Sequence, residues 1–253
     1  MKSAFRLGAL ALTALLAACG GDDSSNKTIA SAITGAASPT LEGFYQGTTA
    51  SGDTMLATML ESGEYYILFF TSGVVYSMAH GTGTSNAGYY TSTDGFNFNY
   101  PKTRFSRFTV GAYSASKAAW SGTMTNDGTP AAFNTTYDAT YEQPASLSAV
   151  AGSYAGSLND NDGITAATFT VDADGTLSGT AWDGRCTFSG RILPRASGKN
   201  VFDFTLTSPA DSACYTGPST GVAVGRATGH GGMDLYMMSV PERQVSYTLV
   251  GHR

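Results

Sequence analysis

The chain has 253 residues, with 14 Lys and Arg against 19 Asp and Glu and a formal net charge of −5. Charged residues make up only 13% while Gly numbers 31, so Thr, Ser, Asn and Tyr supply the polarity. A mildly acidic chain with no basic cluster is a poor nucleic-acid binder, and sparse charge with abundant Gly, Thr and Tyr suits strands joined by tight turns.

The first element is apolar. Lys2 and Arg6 precede Leu7–Ala18, an uninterrupted run of Leu, Ala, Gly and Thr. Twelve residues fall short of the roughly 20 needed to span a hydrocarbon core, so residues 1–18 read as a signal peptide. Leu16-Ala17-Ala18-Cys19, followed by Gly20-Gly21-Asp22-Asp23, resembles the lipobox of bacterial lipoproteins. The resemblance implies cleavage before Cys19, a diacylglycerol thioether-linked to its sulfur, and a second acylation, such as palmitate, on the new amine. Each buried methylene holds with about 0.8 kcal/mol, so two or three chains anchor where one does not. Gly20, where Asp would mark inner-membrane retention, points by the same resemblance to the outer membrane, on either its periplasmic or its surface face. The competing reading is an ordinary cleavable signal with Cys19 present by chance.

Losing residues 1–18, two of them basic, takes the formal charge from −5 to −7 and leaves 235 residues. That length holds one large β domain or two of about 100 residues. Residues 19–40, rich in Ser, Ala, Gly, Thr and Asp, read as a lipidated flexible tether. With Cys19 assigned to lipid, Cys186 and Cys214 remain in an oxidising compartment, and a disulfide is the expectation. A metal or catalytic thiol is the alternative, but no His or second Cys lies near either at ligand spacing.

From Leu41 the pattern is strand and turn. Phe96, Phe98 and Tyr100 alternate with Asn97 and Asn99; Trp120, Gly122 and Met124 with Ser121, Thr123 and Thr125; Tyr137, Ala139 and Tyr141 with Asp138 and Thr140. The same period of two recurs at Phe169–Val171, Cys186–Ile192, Phe202–Leu206 and Val245–Leu249. Tyr65–Phe70 is apolar on both faces, as a strand buried on two sides would be. Asp-Gly pairs at 94–95, 127–128, 162–163, 174–175 and 183–184 predict hairpin turns. No amphipathic helix of ordinary length is present, and the fold class is all-β, antiparallel, in small barrels or sandwiches.

A weak repeat divides this part of the chain. Gly43-Phe44-Tyr45-Gln46-Gly47 matches Gly152-Ser153-Tyr154-Ala155-Gly156, and each precedes a turn, an apolar strand and a second turn. The repeat predicts two β domains of similar plan, 41–142 and 148–253; one larger barrel with a chance recurrence is the other possibility.

The chemistry-bearing residues form no set. Leu158–Gly163 begins like a calcium loop but has Leu158 first and Phe169 twelfth, where an EF-hand needs an acid and a Glu. Gly229-His230-Gly231-Gly232 is similar to the His-Gly-Gly stretch of esterases, yet no Gly-x-Ser-x-Gly elbow accompanies it. His80, His230 and His252 lie at no common ligand spacing. No catalytic residue, metal site or cofactor is expected. The first half concentrates aromatics, from Tyr65 and Tyr66 through Tyr76, Tyr89 and Tyr90 to Tyr100, which serve either as core or as a binding surface.

Three resemblances complete the reading. Asp174–Gly179, Cys186–Gly190 and Pro194–Asp203 resemble uncharacterised β-rich lipoproteins of proteobacteria. Gly-rich barrels on a lipid tether resemble the barrel domains of transferrin-binding protein B and factor H binding protein, surface lipoproteins that bind host proteins. The Gly-x-Tyr starts at Gly43 and Gly152 resemble the Gly-x-Trp start of lipocalins. These imply, in order of preference, a non-enzymatic outer-membrane binding or envelope-associated module with a protein partner, a calycin-like carrier of a small apolar ligand, and an envelope hydrolase with a triad assembled in space.

Overall fold

The structure, a computed structural model, describes residues 41–100, 104–113, 117–160, 162–210, 212, 218–239 and 246–253. Cys19 and the whole signal and tether region, as well as Cys214, lie outside these residues.

The first nine strands are β1 (Gly43–Thr49), β2 (Thr54–Met59), β3 (Glu64–Thr71), β4 (Val74–Thr82), β5 (Thr84–Asn86), β6 (Tyr89–Asn99), β7 (Arg104–Tyr113), β8 (Ala119–Asn126) and β9 (Thr129–Asp138). They run antiparallel in the order β4-β3-β2-β1-β9-β8-β7-β6-β5. A further pairing of β4 with β6, Ser77–His80 against Asn99–Phe96, closes eight of them into a ring and leaves β5 as a short appended edge. The second set is β10 (Gly152–Asp160), β11 (Gly163–Val171), β12 (Thr176–Ala181), β13 (Cys186–Pro194), β14 (Phe202–Thr207), β15 (Ser219–Ala227), β16 (Met233–Ser239) and β17 (Thr248–His252). These form a closed antiparallel barrel in chain order, β17 pairing back onto β10. Closure removes the free sheet edge that would otherwise invite aggregation.

The sequence repeat marks the start of each ring. Gly43–Gly47 is β1 and Gly152–Gly156 is β10, with Tyr45 and Tyr154 both buried and pointing inward. A β-carbon on Gly47 would collide with the Asn134 carbonyl of β9, and one on Gly156 with the Val250 carbonyl of β17. The repeated glycine therefore sits where the first strand closes against the last, a contact too tight for a side chain.

Both interiors are packed by inward side chains from every ring strand. The first ring gathers Tyr45, Met55, Tyr65, Tyr90, Trp120 and Phe133, among others, and the second Tyr154, Phe169, Phe188, Phe204 and Leu249. Outward positions of the second ring carry hydroxyls and carboxylates, such as Thr168, Ser178, Ser189, Asp203 and Thr205. An apolar inside with a polar outside is the inverse of a lipid-facing barrel. No helix among the described residues is long and apolar enough to cross a membrane.

A third apolar cluster joins the rings. Phe44, Tyr66, Leu68, Phe70, Met78 and Phe98 of the first pack against Val222, Val224, Tyr236, Met238 and Val250 of the second. This explains the doubly apolar Tyr65–Phe70 run: Tyr65, Ile67 and Phe69 fill the first ring, while Tyr66, Leu68 and Phe70 fill the joint. Three polar clamps surround the joint. Glu142 pairs with Lys117 at 2.7 Å and Lys199 at 2.6 Å. Arg195 reaches Glu61 at 2.9 Å, and Arg226 holds Asp138 at 2.9 Å and Gln46 at 2.6 Å.

Two sequence expectations need correction. Asp94-Gly95 is no turn but a bulge inside β6, where the register shifts between Ser92 and Gly95. Gly95 is required there because a side chain would strike the Tyr65 hydroxyl, and the Asp94 carboxylate accepts from the Thr82 amide at 2.9 Å. The Tyr137–Tyr141 alternation is not all strand: β9 ends at Asp138, whose carboxylate caps a 3₁₀ turn, Ala139–Glu142, by accepting from the Thr140 amide. By contrast Asp127-Gly128 forms the expected two-residue turn, with φ of 48° and 82°.

Candidate functional site

A groove of about 480 Å³ lies between the rings, lined by Glu64 and Tyr66 on one side and by Arg191, Arg195, Asp203 and Thr220 on the other. His80, on β4, stands behind it. Its Nε2 lies 2.8 Å from Glu64 Oε1, and the Tyr66 hydroxyl donates to the same oxygen at 2.8 Å. Those hydrogen bonds, the His80 contact foremost, hold the Glu64 carboxyl below its usual range despite burial. Burial, with Glu64 beside it, pushes the Tyr66 phenol up. The trio is centred on the carboxylate. A nucleophile relay instead places His between acid and hydroxyl. Arg195 across the groove is held by Glu61 at 2.9 Å and Asp203 at 2.5 Å. Arg195 thus ties Glu61 of the first ring to Asp203 of the second, a clamp between rings, while Arg191 donates to the Asp174 carbonyl at 3.1 Å.

His252 is placed similarly at the far end of the chain, its Nδ1 2.6 Å from Asp234 Oδ1, with the Tyr236 hydroxyl on the other carboxylate oxygen at 3.1 Å. His230 belongs to a 3₁₀ turn, Gly229–Gly231, between β15 and β16. His80 and His252 are each paired with a carboxylate of their own, on different rings. Leu158–Gly163 is the β10–β11 hairpin, in which the Asp162 amide donates to Asp160 at 2.9 Å. Cys186 opens β13, fully buried in the second core.

The second candidate is a wall, not a hollow. On the outer face of β6 and β7, Tyr89 (61% exposed) lies across from Tyr113 (45%), their rings 4.8 Å apart. At the other end of the same strands Phe96 and Phe105, each 39% exposed, stand 5.7 Å apart, and Phe105 stacks on the buried Phe98 at 6.4 Å. Thr91 and the side-chain-free Gly111 lie opposite one another between the pairs. Six residues of strand separate Tyr89 from Phe96, a strip about 20 Å long. Large aromatic surface left in water on one wall is unusual where the same residue types fill the core.

Tyr89 and Phe96 were among the aromatics that the sequence singled out; Phe105 and Tyr113 were missed. The signal existed. In β7, Phe108, Val110 and Ala112 take the inward parity, which leaves Phe105, Arg107 and Tyr113 facing out. The Phe96–Tyr100 alternation is a related surprise. Its aromatics face outward, toward the second ring and solvent, while Asn97 turns into the barrel and accepts from the Ser77 hydroxyl at 2.5 Å.

No protein-family description matches the chain, and no curated protein matches it in sequence. Solved structures of transferrin binding protein B are similar in part. A double mutant of the vaccine antigen from Haemophilus parasuis Hp5 matches with TM-score 0.30 and 8% identity over 79% of this chain and 65% of that one. The isotype 1 protein from serogroup B Neisseria meningitidis matches with TM-score 0.27 and 12% identity over 79% and 58%. A single mutant of the Haemophilus parasuis protein gives TM-score 0.28 and 7% identity over 80% and 66%. The chain spans less than two thirds of the length of each.

Proposed function

We propose that the protein is a lipid-tethered, non-enzymatic binding module of the outer membrane, whose β6–β7 wall docks a partner protein. In this reading residues 1–18 are the signal peptide, Cys19 carries the lipid and residues 19–40 form the tether. The regions 41–142 and 148–253 are two β domains, the second closed by a Cys186–Cys214 disulfide. The observation that carries the docking role is the pair of exposed aromatic clusters on one wall of a barrel. Tyr and Phe present large contact area at low entropy cost, as binding surfaces require. Side chains fill both interiors, and the pocket of about 310 Å³ at one end of the first, beside Leu41, Met59 and Tyr90, also carries Glu42, Glu61, Ser62 and Thr84 in its lining; this weighs against the small-ligand carrier, which needs an apolar cavity of that size inside a barrel. The carboxylate-centred bonding of His80 weighs against the hydrolase.

A photo-crosslinking residue placed at Tyr89, Phe105 or Tyr113 in living cells tests the reading. Each wall position is expected to trap the same protein partner, and the exposed Ile164 of the second ring is expected to trap none. Equal trapping at all positions, or none at the wall, would overturn it. Globomycin treatment or Cys19→Ser is expected to release the protein from the membrane; an unchanged distribution would refute the anchor.

A further inference from the structure

The docking role, on which this inference rests, leaves open what chemistry the wall recognises. From Gly95 to Asn126 the sequence carries four cations, Lys102, Arg104, Arg107 and Lys117, and no Asp or Glu. The remaining eight Lys and Arg from Cys19 onward stand against nineteen Asp and Glu. This stretch, bounded by Asp94 and Asp127, is locally cationic in a chain with no basic cluster, and it coincides with β7 and its flanks. Lys117 is engaged by Glu142 at 2.7 Å and Glu42 at 3.9 Å. Arg107 is exposed and pairs with no carboxylate among the described residues.

Register places Arg107 inside the aromatic cluster. Phe96 lies directly across from Arg107, and Phe98 across from Phe105. Facing side chains on neighbouring strands start about 5 Å apart, so three phenyl rings and one guanidinium form a contiguous block. A guanidinium offers a planar fork of donors matched to a carboxylate. Apolar neighbours exclude water and strengthen such a pair beyond its value on an open surface. We propose that this block anchors an acidic, extended segment of the partner protein: an Asp or Glu on Arg107, an apolar side chain on Phe96 and Phe105, and the following residues along the strip toward Tyr89 and Tyr113. A strip of about 20 Å takes about six residues of extended chain. The rings share the barrel side with Thr91, Thr109 and Arg107; a membrane-inserting element would bury a continuous apolar face about 5–10 Å deep.

The test uses the full chain in mild detergent. It is applied to short peptides made in matched Asp/Glu and Asn/Gln forms, and to phosphatidylglycerol vesicles. The acidic forms are expected to be retained about tenfold better, a difference of about 1.4 kcal/mol. Arg107→Glu is expected to abolish the preference, Arg107→Lys to keep part of it, and Arg185→Glu on the second ring to leave it intact. Phe96→Ser with Phe105→Ser is expected to weaken both forms. Circular dichroism checks the fold, and Arg107→Ala replaces Arg107→Glu if the latter misfolds. Equal retention of both forms, no retention of either, a preference that survives loss of the Arg107 charge, or retention by vesicles alone would each overturn the inference. If cross-links at Tyr89 and Tyr113 persist in such a case, the docking role stands and only the acidic partner falls.

Discussion

The two rings begin on the same Gly-x-Tyr-x-Gly strand, close on the same glycine and run antiparallel through eight strands, yet their outer faces differ. The second is apolar outward where it meets the first, at Val222, Val224, Tyr236, Met238 and Val250, and alternates in β14, Phe202, Phe204 and Leu206 inside against Asp203, Thr205 and Thr207 outside. The first departs from alternation on two sides. One side of it, β3 with its neighbours, is apolar outward because the second ring covers it. Another side, β6 and β7, is aromatic outward with Tyr89, Phe96, Phe105 and Tyr113 in solvent. The difference teaches that the plan of a ring and the use of its exterior are separate problems. Interior packing and closure specify the barrel, and the outer parity is free to carry a joint or a docking wall.

Three experiments probe that comparison. The largest effect should separate the rings. If Cys186 is bridged to Cys214, reduction or Cys186→Ala removes about 3–4 kcal/mol in the chain-entropy model. Segment-resolved hydrogen exchange should then quicken across β13–β15 and leave β1–β9 unchanged; uniform acceleration would mean that the rings do not differ in this way. Next, Gly47→Val and Gly156→Val test whether the closures are equivalent. Each forces a side chain against the facing carbonyl and is expected to cost about 3 kcal/mol, read as a lower thermal midpoint. Tolerance at one site and collapse at the other would break the equivalence.

The smallest effect concerns the joint. Lys117, Lys199 and Tyr137 hydrogen-bond the Glu142 carboxylate and lower its pKa from 4.5 to about 2. A carboxyl whose folded value is depressed stabilises above its unfolded value and loses that contribution as pH falls through the folded one. Glu142→Gln should therefore cost at most about 1 kcal/mol at neutral pH, given the exposure of the group. The difference from the unaltered protein should fade between pH 4.5 and about 2. A difference that persists unchanged at the acid end would assign the effect to packing instead of charge.

How much was legible depended on the range of the cause. The two-faced burial of Tyr65–Phe70 could be read directly, because six consecutive apolar residues leave no polar face for water. The equivalence of β1 and β10 was legible from repeated glycines and tyrosines. Asp94-Gly95 is ambiguous locally because the same pair serves a turn or a bulge, and the choice lies with Tyr65 and Thr82, distant in sequence. Phe96–Asn99 alternates within β6, with Tyr100 just past its end, but nothing local says that the aromatic parity faces outward. The wall residues Phe105, Arg107 and Tyr113 do not stand out in the sequence because their neighbours Phe108, Val110 and Ala112 claim the same strand for the core.

By itself, then, the sequence determined the all-β class, most turn positions, the two-part plan and the doubly buried strand. Each follows from interactions within a few residues: side-chain alternation, the φ > 0 tolerance of Gly, the absence of a helical period. The tertiary structure alone decided which parity of β6 is interior, that the rings share a joint, and which aromatics remain in water. A strand offers two chemically different faces, and only the surface that arrives against one of them settles which face is buried.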